Sequence, residues 1–201
     1  ITYQLLLAEL AAQRGELGLS ASAYLDLAQS TRDPRIAKRT AEIAAFSRQN
    51  EIALQATQLW QELDPGSVQA RQMLAGLLVN ANRPQELEPQ LASLLAQEGN
   101  QIGESLLRLN RVLMRLPDRV EVLRMVDRLT EPYLAYAEAH FARAQAALQA
   151  REPKRALEEA SRAHEIRPEW EAGLLIKAQT VADADPPAAR KLMGDYLDHV
   201  N

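Results

Sequence analysis

Cysteine is absent from the 201 residues, which excludes disulfides, thiol nucleophiles and Cys-ligated zinc and leaves either redox compartment open. Aromatics are scarce at 4%, and Val, Ile and Thr together number 21 against 34 Ala and 32 Leu. Ala and Leu lose little on entering a helix, whereas β-branched side chains lose χ1 freedom, so this shortage argues for helix over sheet. A surplus of positive charge is also missing, because 23 Lys and Arg face 27 Asp and Glu for a net charge of −4. No global field is available to gather nucleic acid or anionic lipid. The longest uncharged stretch, Gln72 to Asn82, has eleven residues, about half of the roughly 20 that a membrane-spanning helix needs. The eight glycines are scattered, and no GxGxxG, GxxxxGKS, GxxxxGKT, GxSxG or HExxH string occurs. Nucleotide-binding loops, nucleophile elbows and zinc-protease helices therefore lack their scaffold, and no cofactor is expected. The chain opens at Ile1 without a basic and then apolar leader, as expected of a mature chain or an excised fragment.

What is present is periodic. Pro84, Pro117, Pro153 and Pro186 stand 33, 36 and 33 residues apart, the mark of an internal repeat. A second series, Pro34, Pro65, Pro132 and Pro168, advances by 31, 67 and 36, where 67 spans two periods. Between these markers apolar residues follow i, i+3, i+4 spacing, as in Leu74, Leu77, Leu78 and then Leu87, Leu91, Leu94, Leu95, which gives each helix a one-sided apolar stripe. Proline in the first helical turn loses no hydrogen bond, so Pro84, Pro153 and Pro186 mark the starts of second helices, and Ser67 is placed to cap the helix after it. The pattern predicts an all-α chain of twelve helices in six antiparallel pairs, at 2–30, 34–63, 67–97, 101–129, 135–166 and 169–199. Pro89, inside one helix, is expected to bend it. No linker or low-complexity segment divides the chain, so 1–201 reads as a single repeat domain, a fragment of a longer repeat protein.

The residues Leu74-Ala75, Leu78, Asn82, Pro84, Leu87, Leu91 and Leu94, and again Ala144, Ala147, Pro153, Ala156, Ala160, Ala163 and Pro168, resemble the tetratricopeptide repeat (TPR) family, whose unit is a helical hairpin of about 34 residues. The hairpin at 101–129 is degenerate, and Arg143 stands where the family usually carries Leu. A narrower likeness runs through Ala8-Glu9-Leu10, Gln13-Arg14-Gly15, Tyr24 to Ala28, Thr31 to Pro34, and Leu59 to Pro65. These residues resemble the N-terminal part of long exported TPR proteins of Gram-negative bacteria. Such proteins are often lipid-anchored at the outer membrane, and some act as adaptors for a periplasmic carboxyl-terminal processing protease. The resemblance implies a TPR-like α-solenoid with a right-handed superhelical curve and a periplasmic or outer-membrane-associated setting, with a cytoplasmic one still open.

By family register, the first helix of each hairpin lines a concave wall. That implies a partner-binding surface of Gln69, Gln72, Met73, Gly76 and Asn80 in the third hairpin and Leu107, Arg108, Arg111, Met114 and Arg115 in the fourth, continued by Glu138, Phe141, Gln145 and Gln149 in the fifth. Met and Gln suit extended peptides, and Arg108, Arg111 and Arg115, at i, i+3 and i+7, form a basic stripe that is either solvated or paired with Glu104 and Asp118, or grips a carboxylate of the partner. The family's Lys and Asn clamp for acidic tails is not recognisable. His140, His164 and His199 belong to no motif and are expected to be ordinary packed or partly exposed residues with no carboxylate completing a site. Glu158 and Glu159 are adjacent on a helix and point about 100° apart, so a solvated face is expected. Trp60 and Trp170, near helix ends beside apolar neighbours, are read as packing between hairpins, with an exposed binding anchor as the other reading. The function expected is a non-catalytic scaffold that binds a protein or extended peptide, with no nucleic acid and no membrane insertion of this segment. Two other readings stay open: the helical region of a larger cell-wall lyase or glycosyltransferase, and a purely structural spacer.

Overall fold

The computed structural model describes residues 2–182, 185–191 and 194. Those residues contain eleven α-helices, two short 3-10 turns, a further helical stretch at 186–191 and no strand. The last expected helix, 186–199, and with it His199, lies mostly outside the described residues. The chain divides into two compact units, Ile1–Leu94 and Leu95–Asn201.

The first unit holds α1 (Thr2–Gln13), α2 (Leu17–Thr31), α3 (Pro34–Phe46), α4 (Asn50–Leu63), α5 (Val68–Asn80) and most of α6 (Pro84–Gln97). Helix starts follow local chemistry. Asp33 accepts a hydrogen bond from the Arg35 N–H at 2.8 Å, with Pro34 in the first turn of α3. Ser67 accepts from the Ala70 N–H at 3.2 Å and caps α5. Alanine lets the helices approach: Ala8, Ala21, Ala28, Ala37, Ala41, Ala44, Ala53 and Ala56 are all completely buried. Ser20 of α2, equally buried, donates to the carbonyl of Ala8 at 2.9 Å and ties α2 to α1. Leucines fill what the alanines leave open, and burying each fully contributes roughly 1.5–3 kcal/mol; Leu27, Leu54, Leu78 and Leu87 are the largest such side chains here.

The turn inside a hairpin repeats more faithfully than the prolines. Gly15, Arg48, Asn82 and Arg151 each take a positive φ, between 52° and 75°, and stand 33, 34 and 69 residues apart. In each case the next residue's N–H reaches back five residues, as Glu16 does to Ala11 at 2.9 Å and Glu152 to Ala147 at 2.9 Å. This is the left-handed C-cap that satisfies the last carbonyls of a helix. Glycine and asparagine adopt it readily, whereas Arg48 and Arg151 hold it against a cost of roughly 1 kcal/mol.

The second unit contains α7 (Ile102–Leu113), α8 (Arg119–Thr130), α9 (Ala137–Gln149), α10 (Pro153–Ile166) and α11 (Glu171–Ala182), with 3-10 turns at Gly99–Gln101 and Glu131–Tyr133. The second of these turns takes up Pro132 and delays α9 to Ala137, and Pro117 replaces the left-handed cap between α7 and α8. Asp118 restarts the helix there by accepting from the N–H groups of Val120 and Glu121, both at 3.0 Å. The α7–α8 hairpin, degenerate by family pattern, is thus closed by a different turn and packed on Leu106, Leu113, Val122, Leu123, Met125 and Val126. Helix α9 is central: it packs against α7, α8, α10 and α11.

Candidate functional site

The first helices of three hairpins, α7, α9 and α11, line a groove of about 440 Å³ in the second unit. Leu107, Arg111 and Met114 come from α7 and its end, Phe141, Gln145 and Gln149 from α9, and Ile176 and Gln179 from α11. At its floor the buried Asn110 donates to the carbonyl of Ala142 at 2.8 Å and to the side-chain oxygen of Gln145 at 3.0 Å. That bond holds Gln145 in place and leaves its N–H groups to face a ligand. Phe141 is further supported by Trp170, 5.1 Å away between ring centroids, and the Arg167 guanidinium lies over the Trp170 ring, 4.9 Å from its centroid. Arg167 also pairs with Glu138.

Six of the residues expected from family register therefore share one surface: Leu107, Arg111, Met114, Phe141, Gln145 and Gln149. Arg108 and Arg115 are exposed outside that lining. Arg108 turns to the Ser105 hydroxyl at 3.1 Å and to Glu104 at 4.0 Å, so of the basic stripe only Arg111 lines the groove. In the other unit, Gln69 accepts from Lys38 Nζ at 3.0 Å beside Trp60. Met73 packs half-buried against the core cluster that contains Trp60 and Ala70, and Gln72 and Asn80 are exposed. Trp60, 4% exposed, is a core residue.

Behind the groove, on the opposite side of α9, lies a buried polar cluster that corrects two expectations. Glu159 does not belong to a solvated face: it is 7% exposed, while its neighbour Glu158 is exposed. Nor does His140 lack a carboxylate, for its Nδ1 stands 2.6 Å from Glu159 Oε2 and its Nε2 donates to the Leu134 carbonyl at 3.0 Å. The two meet because α9 and α10 are antiparallel, which brings positions nineteen residues apart face to face across an alanine-lined seam. Arg143, one turn along α9 from His140 and 7% exposed, donates to Thr130 at 2.7 Å, to the Asp127 carbonyl at 2.9 Å and to Glu131 at 2.7 Å. It also lies 3.9 Å from the carboxylates of Glu159 and Asp127. Asp127 in turn accepts from Arg155 at 2.5 Å. Burial pushes the Glu159 carboxyl up, but the hydrogen bond with His140 and the charges of His140, Arg143 and Arg162 outweigh it and hold the group below its ordinary value. His164, by contrast, is pushed down by burial and by Lys177.

The cluster is buried at His140, Arg143 and Glu159 and reaches the surface at Glu131. Its donors and acceptors are matched to one another, as a buried charge requires, and among the described residues no three His, Asp or Glu side chains are grouped to hold a metal. No described helix is long and apolar enough to cross a membrane. The sequence signal for the cluster was weak: His140 and Arg143 are the two large polar side chains spaced i, i+3 within the alanines of α9, a spacing that equally describes an exposed face.

No known protein family matches the chain as a sequence profile. A TPR repeat-containing protein of Pseudomonas aeruginosa is 26% identical over 200 residues, which is 98% of this chain and 34% of that protein. The chain thus spans about a third of the length of that relative. Among solved structures, one of the Naa15/Naa10 complex bound to HypK superimposes with a TM-score of 0.59 at 14% identity, covering 96% of this chain and 30% of the other. The C-terminal part of a TPR repeat-containing protein from Cytophaga hutchinsonii does so with a TM-score of 0.50 at 13% identity, covering 95% of this chain and 75% of that one. The solved structures show an all-α fold of the TPR-like solenoid class, and the Pseudomonas relative, itself a TPR repeat-containing protein, is similar to nearly the whole chain.

Proposed function

We propose that the chain is a protein-interaction module without catalysis of its own, and that it binds an extended peptide segment of a protein partner in the groove between α7, α9 and α11. The observation that carries this is the lining: an apolar surface of Leu107, Met114 and Phe141 runs beside the amides of Gln145 and Gln149 and the guanidinium of Arg111, with Gln145 fixed by Asn110. Flexible Met and planar Phe accept varied side chains, while Gln145, Gln149 and Arg111 can hydrogen-bond a peptide backbone whatever its sequence. The finer reading is an adaptor for a periplasmic processing protease. It rests on the resemblance carried by residues 8–65 and extends to the whole longer protein.

The test is selection of a phage-displayed library of random linear peptides on the 201-residue protein, followed by calorimetry of the best binder. Phe141→Ala is expected to weaken that binder by about tenfold or more, as loss of a central aromatic anchor does. Arg111→Ala is expected to weaken it in a salt-dependent way, and Arg108→Ala to leave it unchanged. Binders that tolerate Phe141→Ala and Gln145→Ala together would refute the assignment.

A further inference from the structure

A second cleft, of about 580 Å³, lies in the first unit on the side of the second helices, walled by α4 and α6 with α5 behind. Arg71 of α5 lines it while being only 5% exposed. A guanidinium has five N–H donors. Here Nη1 donates to the Ser93 hydroxyl at 3.2 Å and Nη2 to the Gly66 carbonyl at 3.4 Å, while buried Nε has no partner. Both bonds are long and both acceptors are neutral. Among the described residues no carboxylate stands within ion-pairing distance of Arg71, in contrast with Arg143, which has three. The acidic residues that share the cleft are engaged elsewhere, Glu62 with Arg32 at 2.6 Å and Glu86 with Arg83 at 2.5 Å. A buried cation without a counter-ion is costly for folding alone, and an accessible cleft beside it offers the means of neutralising it.

We propose that the α4–α5–α6 cleft is a carboxylate-binding site in which Arg71 grips one carboxylate of a peptide ligand. Arginine matches a planar carboxylate through two parallel N–H donors. Gln61 and Gln90, hydrogen-bonded to each other across the cleft at 2.8 Å, add amides suited to the peptide groups on either side. Glu62 and Glu86 at the walls oppose a doubly charged anion, which selects a single carboxylate over a phosphate. The ligand carboxylate is either the terminal carboxylate of a peptide or that of an Asp or Glu residue. This site is separate in sequence and in lining from the α7–α9–α11 groove.

The test is a side-chain and backbone NMR titration of the 201-residue protein with three probes. These are N-acetylalanine for a terminal carboxylate, N-acetylglutamate amide for the carboxylate of a side chain, and N-acetylalanine amide for neither. The Arg71 Nε–H and the Ser93 and Gln90 amides are expected to shift saturably with at least one carboxylate probe and not with the neutral one, and the probe that saturates earlier identifies the source. Arg71→Met is expected to abolish the response while leaving the melting midpoint unchanged or higher, since it removes an uncompensated buried charge. Gln58→Glu, an exposed change at the cleft wall, is expected to weaken the response by about threefold or more through like-charge repulsion, and serves if the Arg71 variant does not fold. Equal response to the neutral probe, or saturable shifts that survive either substitution, would overturn the proposal. All reporting residues lie in the first unit, so the result is independent of the groove in the second.

Discussion

Removing Glu159 should destabilise the second unit far more than removing the whole cluster it belongs to. In Glu159→Ala the imidazole of His140 loses its acceptor at 2.6 Å and Arg143 loses one of its three carboxylates. Both remain buried, at 4% and 7% exposure. Breaking a buried pair from one side costs about 3–5 kcal/mol, because the charge left behind is neither paired nor hydrated. Arg143 still reaches Glu131 and Asp127, so the low end, about 3 kcal/mol, is expected. The triple change His140→Leu, Arg143→Leu, Glu159→Leu removes every charge of the seam at once. Asp127 keeps Arg155 and the Thr130 hydroxyl keeps the Val126 carbonyl at 2.7 Å, so no buried side chain is orphaned, and only the part-buried Leu134 carbonyl loses its imidazole donor. Replacing buried ion clusters by apolar residues of similar volume is often neutral or stabilising, and the triple variant should fall within about 1 kcal/mol of the parent. Urea denaturation followed by circular dichroism gives the free energies, and amide exchange in α9 and α10 localises them. A triple variant less stable than Glu159→Ala, or a single variant costing under about 1 kcal/mol, would refute this account of the cluster.

Two further outcomes follow from the same geometry. Glu159 is held below its ordinary value of 4.5, so the folded protein binds a proton there less readily than the unfolded one does. Its stabilisation is complete above that value and is lost as pH falls through the folded one; acid titration of α9–α10 amide exchange should show this loss in the parent and not in Glu159→Gln. Arg151→Gly, at φ 61°, should raise stability by up to about 1 kcal/mol, since it relieves left-handed strain at some cost in unfolded-state entropy. Thermal melting checks it, and a loss of stability would show that the Arg151 side chain matters more than its backbone.

The hairpins were legible because their signals are local. Ser67 and Pro34 mark helix starts by their own chemistry, and the leucine spacing of α5 and α6 needs no knowledge of neighbours. The left-handed turns were not read from the sequence: Gly15 and Asn82 are residue types that favour a positive φ, whereas arginine at 48 and 151 carries no hint of one. The groove was placed by repeat register, which fixes the face a side chain occupies but not its partner. Arg108 and Arg111 therefore looked equivalent; Glu104 was an expected partner of the stripe, and it is Arg108 that takes it, together with Ser105. The buried ions were illegible for a different reason. Glu159 meets His140, and Arg71 meets Ser93, across helices packed in tertiary contact, and a charged residue on an alanine-rich helix reads as solvated unless its opposite number is known.

Peptide binding in the α7–α9–α11 groove is tested most directly by photo-cross-linking. A photoreactive amino acid is placed in turn at Gln149 on the groove and at Lys154 and Arg124, exposed on α10 and α8, and the protein is irradiated with the peptide selected from the random library. Cross-links from position 149, abolished by excess unlabelled peptide and absent from 154 and 124, are the predicted result. Cross-links from 154 or 124 with none from 149 would contradict it.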